Sequence, residues 1–214
     1  MFFANNLPNF FEPQTRWVAA EVFSDLGDWY TFSETVQYSL AQLIDEYNLI
    51  EGTYEEYRAH SIEFHSFMSM AMLAIVLAES MEERLFVPNL PCRSRVMETM
   101  LFLVDTELSS QTFNFWISFA ENSSEIEDKQ QGYPWLEQAF TQFFMKMCES
   151  GGDEMEWLSY RADVIEVFES ILCMLGPAFL NSAVQQALDS WVFEPGNTGE
   201  CSEDSLQILV VYFA

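Results

Sequence analysis

Basic residues are scarce in this chain. Eight Lys and Arg stand against 34 Asp and Glu, leaving a formal net charge of -26. So acidic a surface repels the phosphates of nucleic acid and the headgroups of anionic membranes. Glycine and proline are also few, 8 and 7 in 214 residues, fewer than a loop-rich or all-β chain would carry. The four cysteines, Cys92, Cys148, Cys173 and Cys201, form no CxxC pair. Their wide, irregular spacing speaks against a zinc site and against a secreted disulfide framework. They read as reduced thiols of an intracellular protein, with Cys173 expected in a core. The most apolar stretch, Phe67 to Ala78, falls short of the roughly 20 residues a membrane helix needs. The N-terminal MFFANNLPNFF lacks a basic segment and is a poor signal peptide.

Catalytic signatures are missing as well. The chain contains no GxSxG, P-loop, HExxH or GxGxxG. It has no DDxxD to hold Mg²⁺ on phosphate, which disfavours a prenyl-chain synthase. The chain therefore reads as a non-enzyme without a cofactor. His60 and His65 lie near Glu56 and Glu63, with no Glu-x-x-His motif beside them. They read as surface or partly buried helix residues, not as metal ligands.

What the chain has in quantity is apolar side chains. Half of it is hydrophobic and 16% aromatic, including 20 Phe, with 11 Met besides. That suffices for a core and excludes wholesale disorder. The apolar residues recur at spacings of three and four, which means amphipathic helices. Trp17, Ala20, Val22, Phe23 and Leu26 form a first face, with Gly27 as its expected stop. Ser33 opens a second helix lined by Val36, Leu40, Leu43, Ile44 and Tyr47, ending at Asn48 to Gly52. Thr53 and Glu56 suggest a capping box for a long third helix, Tyr54 to about Arg84. Its second half is apolar nearly all round, so burial on several sides is expected.

Pro88 and Pro91 then break the chain. The runs Val96 to Val104 and Phe113 to Phe119 flank a polar turn, with Ser109 or Ser110 as the expected cap. Pro134 falls in the first turn of a helix carrying Trp135, Leu136, Phe140, Phe143, Phe144 and Met147. Trp116 and Trp135 each stand within an apolar face and read as core anchors. Met155 to Leu175 is helical, followed by a Gly-Pro turn and a helix from Ala178 to Leu188. A last helix begins near Ser202 and has no cap before Ala214, which reads as an unfinished element. The fold class expected is all-α: about nine helices at roughly 40 residues per pair, the period of HEAT or armadillo repeats in an α-α superhelix. Residues 1–14 read as an N-terminal tail and 15–214 as the helical-repeat domain.

Three passages carry a family resemblance. RVMETMLFLVDTELSSQTFNFWISFAE (Arg95 to Glu121) contains the run Phe113, Asn114, Phe115, Trp116. WVAAEVFSDLGDWY (Trp17 to Tyr30) precedes it. EWLSYRADVIEVFESILCMLGPAFL (Glu156 to Leu180), with Tyr160, Arg161, Val164 and Glu166, follows it. In this order and spacing they resemble a central part of the importin-β family of nuclear transport receptors, in its transportin-SR and importin-thirteen branch. The resemblance implies a slice of a longer HEAT-repeat solenoid that binds cargo non-covalently and moves between cytoplasm and nucleus. Ran GTPase would be a partner of the full-length receptor. The repeats that hold most Ran contacts, and the arginine-rich helix that engages Arg-Ser cargo, have no counterpart in the chain.

The candidate partner surface is acidic and lies around two loops. One carries Glu121, Glu125, Glu127 and Asp128; the other carries Glu149, Asp153, Glu154 and Glu156. Such carboxylates suit a basic or Arg/Ser-rich cargo segment through charge-assisted hydrogen bonds. As plain solvated loops they would serve solubility alone. Arg161, between acidic neighbourhoods, reads as a structural ion pair or loop tether. A different class of function also fits the charge: an acidic all-α protein that mimics nucleic acid and inhibits an enzyme that binds it.

Overall fold

The computed structural model describes residues 8–12, 15–29, 32–87, 89–123, 129–148 and 154–183. Among them the regular structure is entirely helical, so the all-α class expected from the sequence is the observed one. Eight α-helices are bounded: α1 (Arg16–Trp29), α2 (Glu34–Glu46), α3 (Glu51–Arg58), α4 (Phe64–Ser80), α5 (Arg93–Val104), α6 (Phe113–Ser123), α7 (Tyr133–Cys148) and α8 (Glu154–Leu175). Short 3₁₀ turns occupy Glu82–Phe86, Ser109–Thr112 and Lys129–Gln131. Helical residues also occur at 8–10 and 177–183. The helix expected near Ser202 lies outside the described residues, as do Cys201 and Pro88.

The helices pack in two rows. Contacts run from α1 to α4, α6 and α8 along one row, and from α2 to α5 and α7 along the other. The first row starts at Arg16, Phe64, Phe113 and Glu154, intervals of about 40 to 50 residues, close to the period of helical-repeat proteins. The short α3 is an addition between α2 and α4 and packs on α4.

α4 is the hub, touching α1, α2, α3, α5 and α6. Its sequence explains this: Phe67, Met70, Ala71 and every residue from Leu73 to Ala78 are buried. A helix apolar on all sides has no solvent face and must be surrounded. The core continues through Met97, Met100 and Leu103 of α5 to Phe115, Trp116 and Phe119 of α6, and on to Phe143, Val167 and Phe168.

Several local expectations change. The long third helix is two, because the chain turns at His60, whose φ is 55°. The His60 amide donates to the Tyr57 carbonyl and the Ser61 amide to that of Glu56, a Schellman ending that satisfies the last carbonyls of α3. The same motif closes α2 at Asn48, φ 46°, with Leu49 buried behind it. Thr53 is no cap: α3 starts at Glu51, and the Thr53 side chain is buried. Ser33 holds the N-cap position of α2 but makes no capping hydrogen bond through its side chain.

Gly27 does not stop α1, which runs through it. A Cβ there would lie 2.1 Å from Val76 Cγ1 of α4, so this glycine is needed for close approach of two helices. Gly176, φ 80°, does close α8 as expected, its amide donating to the Leu172 carbonyl. Cys173 is exposed, not in a core. Position explains it: α8 turns Val164, Val167, Phe168 and Ile171 inward, and residue 173 falls on the other side. Phe11, within the segment expected to be a tail, is buried and stacks on Phe23.

Candidate functional site

The scarce cations are engaged by groups of the same fold, Arg58 and Arg95 at its surface and Arg16, Arg84, Arg93, Lys146 and Arg161 half-buried or buried. Arg16 of α1 pairs with Glu56 of α3 and lies 4.0 Å over the Trp17 ring. Arg84 donates to Gln37 Oε1 at 2.7 Å and to Tyr38 Oη, and pairs with Glu34 at 3.5 Å, tying the first 3₁₀ turn to α2. Arg93 donates to the Gln131 carbonyl and Lys146 to the Thr106 carbonyl. Arg161 reaches the Met147 carbonyl at 3.4 Å, a tether from α8 to the end of α7 that fits the loop-tether reading. Arg58 stands over the Tyr54 ring. Long side chains bridging separate helices hold the rows together by directional, charge-assisted hydrogen bonds.

Carboxylates far outnumber these cations, and many face solvent. Among the described residues Glu21, Asp25, Glu55, Glu79, Glu83, Glu107 and Glu137 are exposed, on nearly every element. Of the expected acidic surface, Glu121 is exposed near the end of α6. Glu154 and Glu156 belong to the first turn of α8, with their side chains outside what is described. Glu125, Glu127, Asp128, Glu149 and Asp153 lie outside the described residues.

Sequence reasoning looked for carboxylates in loops and missed a row on a helix. Asp163, Glu166 and Glu169 are all exposed on α8. Their spacing of three, complementary to the buried Val164, Val167 and Ile171, was the available signal.

One cavity of about 160 Å³ opens between α2, α4 and α5. That is about ten times the roughly 10–15 Å³ a single water occupies by a comparable measure. Its floor is aliphatic: Ala41 and Ile44 from α2, Ala74 and Leu77 from α4, Val96 from α5. Its rim is polar, with Asp45, Asn48, Glu51 and Arg95, and the buried Thr99 lies deeper. The geometry follows from local structure. The Schellman turn at Asn48 ends α2 and starts α3 a few residues later, so Asp45 and Glu51 flank one opening. Arg95 Nε lies 2.7 Å from Asp45 Oδ1, and Arg95 also meets Glu98 at 3.4 Å.

A second acidic group has unusual chemistry. Burial of Glu82 raises its carboxyl to about 7; Asn122 opposes this by hydrogen bonding, while Glu79, Glu83 and Glu121 add to it. Glu82 Oε1 is buried without a hydrogen-bond partner. Burial and the Glu107 charge likewise raise the Tyr54 hydroxyl, and burial raises the Cys92 thiol.

The histidines do not converge on a site: His60 sits in the turn after α3 and His65 on α4, both exposed. Among the described residues no group of three or more His, Cys, Asp or Glu side chains could hold a metal ion. No described helix is long and apolar enough to cross a membrane. Trp116 is fully buried and Trp135 is half-buried against the core, as their apolar faces suggested. In the Phe-Asn-Phe-Trp run, Phe113, Phe115 and Trp116 point inward and only Asn114 is exposed. Compared with known proteins, the chain matches no family model, no curated protein and no solved structure.

Proposed function

We propose that this chain is a non-catalytic helical-repeat binding module that receives basic protein segments on its acidic surface. The observation that carries the reading is the split in charge: each basic side chain described is engaged within the fold, while carboxylates face outward on almost every element. Even if all 8 basic residues were paired one-to-one, 26 of the 34 carboxylates would remain. Such a field steers cationic partners and weakens with salt. Stacked helix pairs supply the extended surface on which solenoid proteins bind partners.

The order of the three sequence passages adds a biological setting. With two rows of helices beneath them, they support a role as part of a nuclear transport receptor, carrying basic or Arg/Ser-rich cargo between cytoplasm and nucleus. In that setting Ran acts on the longer receptor. The test is fluorescence anisotropy of labelled Lys/Arg-rich and Arg/Ser-rich peptides with the full chain at low and high salt. Binding that falls steeply with salt is the expected result. If no basic segment binds at low salt, and the chain instead inhibits an enzyme that binds nucleic acid, the acidic-mimic reading replaces this one.

A further inference from the structure

We infer that the cavity between α2, α4 and α5 is a receptor for an alkylammonium group, supplied by a lysine side chain of the bound segment. The inference rests on the acidic-surface reading and gives it a specific locus away from the loops. It starts from the two layers of the cavity. The aliphatic floor of Ala41, Ala74, Leu77 and Val96 suits a chain of methylenes, which gain by leaving water. The rim suits the charge at the end of such a chain. Two rim carboxylates, Asp45 and Glu51, oppose one guanidinium, Arg95, which Glu98 meets from outside the cavity lining. Two carboxylates against one cation leave a rim that is negative overall, so it favours a cationic guest over an anionic one.

Arg95 also narrows the choice among cations. Its planar fork is engaged with Asp45 and Glu98. Glu51 enters no ion pair among those formed by the described residues. A guest with a compact charge and three donors has Glu51 and the Asp45 oxygen not held by Arg95 as acceptors among the residues that line the cavity. With Arg95 on Asp45 Oδ1, a second guanidinium could not take both oxygens of Asp45, the approach that favours its planar fork. An amphipathic stem with a polar head is how lysine covers apolar surface.

The experiment is titration calorimetry of the full chain with three probes: a single-lysine peptide flanked by Gly and Ser, the same peptide with lysine acetylated, and the free diamine cadaverine. Amide shifts of Asn48 and Thr99 locate any binding. The lysine peptide is expected to bind and its acetylated form to lose at least tenfold in affinity. Glu51→Gln, a half-exposed and near-isosteric change, is expected to weaken the lysine peptide about five- to tenfold, the size of one charge-assisted contact. Ala74→Leu fills the floor and should abolish the shifts at Thr99, with a thermal melt showing that the variant is folded. Cadaverine binding that is lost in Glu51→Gln supports the same site with a free amine as its source. Wild-type affinity for the lysine peptide in both variants would overturn the cavity while leaving the acidic surface intact. No binding of any basic peptide by the wild-type chain sinks both.

Discussion

The two most extensive helix contacts, α1 with α4 and α6 with α8, solve the same packing problem in opposite ways. α1 meets α4 with a small residue: Gly27 lies against Val76, and the backbones come close. α6 meets α8 with a ring contact, Phe113 lying 5.4 Å from Tyr160 by ring centroids, and both helices feed the core, α6 with Phe115, Trp116 and Phe119 and α8 with Val164, Val167 and Phe168. A contact of small residues is limited by what can be added to it. A contact of rings is limited by what can be taken away. The edges differ too. Val18, Val22 and Leu26 of α1 stay exposed, whereas the corresponding outer side of α8 is acidic.

Deletion on the ring side should have the largest effect. Trp116 is fully buried among Phe115 and Phe119. Trp116→Ala should destabilise the protein by about 3–5 kcal/mol, through lost transfer energy and the cavity left behind. Chemical denaturation measures it. Trp116→Phe should cost far less, since the indole Nε1 is buried with no acceptor and its removal relieves an unsatisfied donor. Equal losses in the two variants would mean that the indole is held by something other than packing.

Addition on the small-residue side comes next. Gly27→Ala places a methyl 2.1 Å from Val76 Cγ1. Overpacking of this kind costs about 1–3 kcal/mol, offset by up to about 1 kcal/mol from better helix propensity. Val76→Ala should make Gly27→Ala tolerable, so the double variant should be more stable than the sum of the single changes allows. Strict additivity would show that α1 does not sit on Val76.

These contacts also show what could be read in advance. The uninterrupted apolar face of α4 and the 3.6-residue spacing elsewhere are local patterns, and they announced the helices and the all-α class. The role of Gly27 was hidden because a glycine that ends a helix and one that admits a neighbour look alike in sequence; only the position of Val76 tells them apart. The break at His60 was hidden for another reason. Asn48 is a common residue for a left-handed helix ending, but His60 is less so, and here the Ser61 hydroxyl adds a bond to the Glu56 carbonyl that completes the turn. The cavity was illegible too. Its rim comes from Asp45, Glu51 and Arg95, whose meeting depends on helices from different pairs.

The joint between these two contacts, where α4 gives way to α6, makes a smaller, pH-dependent prediction. Glu82 has its carboxyl raised from 4.5 to about 7, chiefly by burial. The folded state therefore holds this proton more tightly than the unfolded state. Its contribution is fully favourable below about pH 4.5 and is lost as pH rises through about 7. Glu82 is half-exposed, and after discounting for solvent screening the loss is on the order of 1–2 kcal/mol. Glu82→Gln should thus be the more stable protein at pH 8, with the advantage vanishing near pH 4.5. Melting curves of both proteins across that range test it. A constant difference at all pH values would assign the effect to something other than the proton.

The smallest effect concerns a polar contact beside the ring-built interface. Ser109 Oγ and Tyr160 Oη are 2.9 Å apart, and the Ser109 side chain, expected to cap α6, is buried toward α8 instead. Tyr160→Phe leaves the ring contact with Phe113 in place but strands the Ser109 hydroxyl, at a cost of about 1 kcal/mol. Ser109→Ala should cost a similar amount for the converse reason. The double variant removes both partners, so it should lose less than the two single losses combined. If the losses simply add, the hydroxyls do not depend on each other, and this pair adds no coupling to the ring contact of Phe113 with Tyr160.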